Sequence, residues 1–252
     1  MAGRRSAPTP VVTREQIVAA ADVLARREGI DNVTVRRISA ALSVTAPALY
    51  WHLQNKGELM SQLVDRIAAR VAHPPADTGP WLDRLLGFYS SIRDVFGEYP
   101  GISTALMTTD PTEATLANCV YVVQVLMDAG FEETAAVLLF NSLSTLSIGH
   151  LMMIDAARHQ QRRSAADTAY APNAARLAEL LDARPELSAF RQALVELDDE
   201  ASRAQFLSGV ELLIRGAATS AGVAAPRDET AGGPEVTASP RRRSVRSARR
   251  TA

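Results

Sequence analysis

The 252-residue chain has one cysteine, Cys119, so no disulfide can form within it, and its four histidines (52, 73, 150 and 159) stand at no metal-ligand spacing. A disulfide framework is excluded, no metal motif is found, and Cys119 reads as a small buried apolar residue. Aromatic residues make up only 5% of the chain, and no alternating strand pattern competes with helical spacing. There is no phosphate-binding loop of the GxxxxGK[ST] form and no nucleophile, base and orienting group at workable spacings. Paired carboxylates occur only in charge-rich stretches such as Asp198-Asp199-Glu200. The chain therefore reads as a non-enzyme without catalytic residues, metal or cofactor. No apolar run reaches the ~18 residues of a membrane span, and the N-terminal MAGRRSAPTP lacks the apolar stretch of a secretory signal. A soluble, cytoplasmic protein with no membrane partner is expected.

What is plentiful is alanine and leucine, within a hydrophobic content of 47%, which favours helices and allows a sizeable core. The net charge of −1 hides a division of labour. Residues 1–72 hold ten basic and six acidic side chains, residues 73–226 hold ten and nineteen, and residues 227–252 hold seven and three. A basic head on an acidic body suits a protein that puts one face on phosphate and keeps the other away from it.

The apolar spacing predicts an all-α chain. Residues 1–12 read as a disordered arm, residues 13–72 as one helical domain, residues 81–220 as a second, and residues 221–252 as a disordered basic tail. Thr13-Arg14-Glu15-Gln16 has the form of a capping box, Ile17, Ala21 and Leu24 follow at helical spacing, and Gly29 stops the helix. Asn55 to Glu58 is a second N-cap signal, and Leu59, Leu63 and Ile67 carry a linking helix to about Ala72. Closely spaced prolines in His73 to Pro80 break the helical run and mark the boundary. In the body, helices are expected from Trp81 through Ile92, around Ile102 to Met107, over Thr112 to Ala129, over the very apolar Ala135 to Ile154, from about Asn173 to Leu197 with a break at Pro185, and from about Ala201 to Ser220. Arg158 to Ala171 reads as a loop or frayed end. Six arginines in the last twelve residues either add nonspecific phosphate affinity or serve only as a solubilising tail.

Between Thr34 and Lys56, TVRRISAALSVTAPALYWHLQNK reads as two short helices joined by a tight turn. Thr34 caps the first, whose apolar face is Ile38, Ala41 and Leu42, and Ser43-Val44-Thr45 ends it. Thr45 caps the second, with Pro47 where a missing N–H costs little. Over two turns this second helix carries Pro47, Tyr50, Trp51 and His52, with Lys56 just beyond. Such a helix suits the major groove: Thr45 and Pro47 at its start face base edges, while Tyr50, His52 and Lys56 reach phosphates. Arg36 and Arg37 extend the basic edge. Trp51 either shows its indole to the backbone or packs on the domain.

Leu49-Tyr50-Trp51-His52-Leu53, Asn55-Lys56, Gly29-Ile30 and Thr34-Val35-Arg36-Arg37-Ile38 together resemble the TetR family of bacterial repressors, in its tetracycline repressor branch. Ser43 stands where that family often has a turn glycine. The resemblance extends to Asp110-Pro111-Thr112, Gly130-Phe131 and Phe206 through Gly216. It implies an N-terminal three-helix helix-turn-helix DNA-binding domain and a C-terminal helical ligand-binding and dimerisation domain. DNA contacts are then expected from Thr34, Arg36, Thr45, Ala46, Pro47, Tyr50, Trp51, His52 and Lys56.

It also implies a homodimer in which the Ala135 to Ile154 and Phe206 to Ser220 helices form a four-helix bundle with their mates, through Leu146, Phe206, Val210 and Leu213. Helices apolar nearly all round must be buried by something. The family's tetracycline-type members hold a magnesium chelate through a histidine on the short helix before a Pro-Thr turn, but residues 101–131 contain no histidine. A more apolar small-molecule effector is expected, lined by Phe88, Ile92, Leu106, Val122, Phe140 and Leu143. His150 reads as a satisfied core or interface histidine. The expected function is a homodimeric repressor released from double-stranded DNA, at a palindromic operator, by such a ligand. The alternative is a DNA-binding regulator that activates, or that answers to a protein partner.

Overall fold

The computed structural model describes residues 12–166, 179–188 and 199–224, and its secondary structure there is helical throughout. The N-terminal arm to residue 11, the tail from residue 225 and most of the expected 173–197 helix lie outside the described residues.

Helix α1 spans Arg14–Glu28 and opens on a reciprocal cap, with Gln16 N–H donating to Thr13 Oγ1 and Thr13 N–H to Gln16 Oε1; such a cap is worth about 1 kcal/mol. It ends at Gly29, whose φ of 95° and ψ of 158° fall in a region open almost only to glycine. A Cβ at Gly29 would lie 3.1 Å from the Pro100 carbonyl oxygen. The same glycine therefore stops α1 and admits the turn around Pro100.

Helix α2 spans Val35–Leu42, capped by the Thr34 side chain, which accepts from Arg37 N–H. Ser43 ends it at φ 55° and ψ 38°, the one non-glycine with positive φ among the described residues. The serine takes the left-handed conformation for which glycine is the default. The buried stripe of α2 runs through Ile38 and Ser39, with Val35 and Leu42 half-buried. Ala41, expected on that face, sits exposed at its rim, and Ser39 fits inside because its hydroxyl donates to the Val35 carbonyl.

Helix α3, Ala46–Tyr50, is shorter than the two turns expected. Trp51 and His52 follow in a turn, where the N–H groups of His52 and Leu53 both donate to the Leu49 carbonyl. Leu49 and Leu53 are buried and anchor the segment, each by about 1.5–3 kcal/mol. Helix α4, Lys56–Ala68, is capped by Asn55 Oδ1, which accepts from Glu58 N–H, while the Glu58 carboxylate accepts from Gln54 N–H. It ends before Ala72, because the Arg70 and Val71 amides bond back to Ile67 and Ala68 in a tightened turn. Leu59, Leu63 and Ile67 are fully buried and join both halves of the chain into one continuous core.

Past the proline-rich link come α5 (Trp81–Gly97), α6 (Ile102–Thr108), α7 (Glu113–Asp128), α8 (Glu133–Ala166) and α9 (Asp199–Ala221). Pro185 opens a single 3-10 turn, Pro185–Leu187. Helix α8 runs on past Arg158, where a loop was expected. Its polar end carries alanine, arginine and glutamine, all good helix formers. Helices α5, α8 and α9 pack together, α7 lies on α8 and α4, and α6 bridges α8 and α4.

The Glu133–Arg158 stretch of α8 is long and apolar enough by composition to cross a membrane, with mean hydropathy 1.6, although its interspersed Ser, Thr and Asn leave no unbroken apolar run. Only 22% of its most apolar window is buried within the chain. Phe206 and Val210, expected at a dimer interface, are buried inside the protomer instead, and Leu146 lies against Gly209 across the α8–α9 contact. The outward face holds Leu213 together with Leu138, Met152, Met153 and Leu212.

Candidate nucleic-acid interface and interior cavity

On the N-terminal head, α3 is held from below by Leu49 and from behind by α1. Arg14 of α1 donates to the His52 carbonyl at 2.8 Å and pairs with Glu58 at 3.0 Å, tying the end of α3 to the start of α4. What α3 leaves outside is unusual. Trp51 is 88% exposed and Tyr50 54%, and nothing in the fold requires a free indole on a soluble face. Thr45 and Pro47 are exposed at the helix start, and Ala46 is half-buried beside them. The Thr45 hydroxyl makes no capping bond, so it remains free to meet a partner.

His52 is half-buried. Lys56, at the first position of α4, and Arg36 are exposed and make no ion pair among the described residues. Arg37 departs from the expectation, because its guanidinium pairs with Glu28 of α1 and holds α2 in place. Thr34 is half-buried, its oxygen engaged as a cap. An exposed short helix with hydroxyl and methyl groups at its start, aromatic bodies along it and cations at its flanks can enter a major groove and hold the sugar-phosphate edges. Arg14 went unrecognised at the sequence level, because its partners lie across 38 and 44 residues of chain and leave no local spacing to read.

Within the body, α4, α5, α6, α7 and α8 line a partly open cavity of about 280 Å³, near the lower end of small-molecule sites. Phe88, Ile92, Leu106 and Phe140 line it. Val122 and Leu143, expected beside them, do not; both are fully buried and fill the core where α7 meets α8. Tyr89, Asn118 and Cys119 are also part of the wall, and Val64 of α4 reaches into it.

Asp110, Thr109 and Ser144 also line the cavity, and several of its other polar groups are held by protein partners. Asn118, 8% exposed, donates to the Ala68 carbonyl at the end of α4 and accepts from His73 Nε2 at 2.6 Å. The His73 ring stacks on Tyr121 and tilts over Phe88. Ser147 donates to Leu143, and Thr115 closes the α7 capping box with Thr112. Tyr89 is 3% exposed and its hydroxyl has no partner among the described residues; burial pushes its pKa well above the usual phenol range. Burial likewise raises the Cys119 thiol. The one sequence signal for Asn118 was an amide set among Cys119, Val122, Val125 and Leu126.

The cavity and the head are joined by continuous contacts. Asp155 of α8 accepts from Gly101 N–H and Ser103 Oγ at the start of α6, both at 2.9 Å. Ile30 N–H donates to Pro100 O at 2.8 Å. The buried Tyr99 hydroxyl donates to Asp22 and accepts from Arg26 at 3.0 Å and Arg70 at 2.6 Å, while Glu98 pairs with both arginines. Asp65 of α4 accepts from Ala114 N–H at the start of α7.

His150 stands apart from the cavity wall. It stacks on Phe206 at 4.6 Å, but its buried Nε2 has no partner among the described residues, so it is not the satisfied histidine expected. Burial first, then the charge of Arg93, lowers its pKa.

Comparison with known proteins follows the same division of the chain. Residues 17–63 match the model for bacterial regulatory proteins of the tetR family, and residues 73–221 match the tetracyclin repressor-like C-terminal domain. An HTH-type transcriptional regulator of Saccharopolyspora erythraea is 28% identical over 87% of this chain and 90% of its own length. The class D tetracycline repressor protein of Escherichia coli is 29% identical over 81% of this chain and 88% of its own. The structure of Streptomyces coelicolor ActR in complex with actinorhodin covers 85% of this chain and 99% of that one, with a TM-score of 0.69 at 21% identity, a likeness of fold.

Proposed function

The chain belongs to the TetR family of bacterial regulatory proteins, with a tetracycline repressor-like C-terminal domain, and from that membership we propose that it is a homodimeric repressor released from a palindromic operator by a small, largely apolar ligand. In this reading residues 13–72 are the DNA-binding domain and residues 81–220 the ligand-binding and dimerisation domain, and the protein works in the cytoplasm. The observation that carries the reading is that one helix serves both sites. Helix α4 begins at Lys56, beside the exposed face of α3, and its Val64 lines the cavity while its Ala68 carbonyl is held by Asn118. A ligand that displaces Asn118 or Val64 moves α4, and α4 carries the head. Release then requires only that the ligand favour the head spacing that does not fit DNA. Two relatives, a tetracycline repressor and a regulator solved with actinorhodin, support a small-molecule effector.

A second copy of the chain accounts for the outward face of α8 and α9. Leu138, Met152, Met153, Leu212 and Leu213 form an apolar face shared by two helices, and Asn141 and Thr145 are exposed on α8 beside it. Those polar groups find partners in a protein interface and none in lipid. A twofold pairing through this face would relate the two α3 helices by the dimer axis, and a palindromic site follows from that symmetry.

The test is selection of bound duplexes from a random DNA library by the full chain at moderate salt. A twofold-symmetric consensus is expected. Enrichment of an unpaired half-site would overturn the dimeric reading, and no enrichment at all would overturn sequence-specific regulation. The selected duplex then serves as the probe for release by candidate ligands.

A further inference from the structure

The wall of the proposed effector cavity carries polar side chains of two kinds. Asn118, Ser147 and Thr115 spend theirs on protein partners. Thr109, Asp110 and Ser144 line the same cavity, and their side chains form no hydrogen bond or ion pair among the described residues. Thr109 and Ser144 are half-buried, and Asp110, in the loop between α6 and α7, is exposed, so a guest in the partly open cavity can reach all three. Asp110 supplies the one carboxylate of the lining, and no lysine, arginine or histidine lines it among the described residues. Lys56 borders a neighbouring groove together with Asp110 but forms no ion pair with it. The wider body has the same sign, since residues 73–226 hold nineteen acidic side chains against ten basic, a field that draws cations and repels anions. Much of the remaining lining is aromatic and aliphatic, from Phe88, Ile92, Phe96, Leu106 and Phe140, and suits a flat apolar ring system. A carboxylate opposes an anionic guest and does nothing for an uncharged one. A guest that buries its rings and holds an ammonium beside Asp110 meets both halves of the site, with the Thr109 hydroxyl as a second acceptor.

Resting on the reading of this cavity as the effector site, we infer that its ligand is an aromatic monocation, a small ring system bearing a protonated amine that pairs with Asp110. Asp110 is thus the specificity-determining residue of the site, and charge is what it selects, while the apolar lining supplies most of the affinity.

Three probes of one skeleton isolate the charge: 1-naphthylmethylammonium, the uncharged 1-naphthylmethanol and the anionic 1-naphthoate. In calorimetric titrations of the full-length protein at neutral pH and low ionic strength, the cation is expected to bind about fivefold more tightly than the alcohol, as a partly exposed ion pair allows. The carboxylate should bind more weakly than the alcohol, and added salt should narrow the cation's advantage. Asp110→Asn should bring the cation-to-alcohol ratio to about one, with alcohol affinity and circular dichroism unchanged, the latter two showing that the cavity and the fold are intact. Equal binding of the three probes, tightest binding of the carboxylate, or a cation preference that survives in Asp110→Asn overturns the Asp110 assignment and leaves the effector-site reading in place. That reading is tested on the selected duplex, which the cation should release from the unaltered protein at a lower concentration than from Asp110→Asn. Asp110-dependent binding with no change in duplex affinity leaves the charge selection standing and overturns the effector role. Binding of none of the three overturns both.

Discussion

Tyr50 and Arg36 sit on the same head but ask different questions of DNA. Tyr50 projects from α3 with about half its surface free, while Leu49 beside it carries the packing. Tyr50→Ala is therefore expected to weaken binding to the selected duplex on the order of tenfold, about 1.4 kcal/mol, with helical content by circular dichroism and dimer mass unchanged. Loss of folding would make Tyr50 a core residue. Arg36 makes no ion pair among the described residues, unlike Arg37, which is held by Glu28. Arg36→Ala should lower affinity and reduce the slope of log K against log salt by about 1; an unchanged slope removes Arg36 from the phosphate contacts. Arg37→Ala belongs to a different experiment, since it would loosen α2 from α1.

Among the elements, the turn joining α1 to the body is where two folding requirements meet in one residue. Gly29 must take a backbone conformation that a side chain resists, and it must leave room for Pro100. Gly29→Ala is expected to cost about 2 kcal/mol in urea unfolding and to weaken the response of DNA binding to ligand, because the Ile30 to Pro100 bond is part of the junction. A variant of unchanged stability would mean that the junction relaxes freely.

The turn glycine, the caps at Thr13, Thr34 and Asn55 and the Leu59, Leu63 and Ile67 spacing of α4 were legible in the sequence, because each is a local signal a few residues long. So was the exposed character of Tyr50 and Pro47. What was not legible is what depends on contact across the chain. Arg14 reaches the end of α3, Asn118 bonds the last turn of α4, and Val122 and Leu143 fall into the core rather than the cavity beside it. Helical spacing says which side of a helix is apolar. It does not say whether that side meets a neighbour or a void, and so only Phe88, Ile92, Leu106 and Phe140 of the six expected residues reach the cavity. Phe206 and Val210 were misplaced for the same reason: an apolar stripe on α9 is buried equally well by α5 and α8 of its own protomer.

For the whole molecule, the uncovered apolar face of α8 and α9 bears on assembly. Leu212 is 73% exposed, so Leu212→Glu disturbs little within the protomer, where a surface substitution shifts stability by about 0.5 kcal/mol or less. Sedimentation is expected to show a monomer that is fully helical and has lost most of its affinity for the palindromic duplex while retaining weak half-site binding. A dimer of unchanged mass would move the interface elsewhere.

The distribution of tryptophan has a practical consequence. The chain has only two, Trp51 and Trp81. The first is almost wholly in water at the tip of the head, and the second is half-buried in the body, its ring meeting Phe131 edge-on at 5.9 Å. Their emission is set by different surroundings, red for the solvated indole and bluer for the packed one. Intrinsic fluorescence can thus follow the two ends separately without a label, since a duplex that covers the head dims the red component while a change in the body moves the blue. Replacing either indole by phenylalanine leaves a single-colour reporter, and the order in which the two signals change after mixing gives the direction in which the message travels.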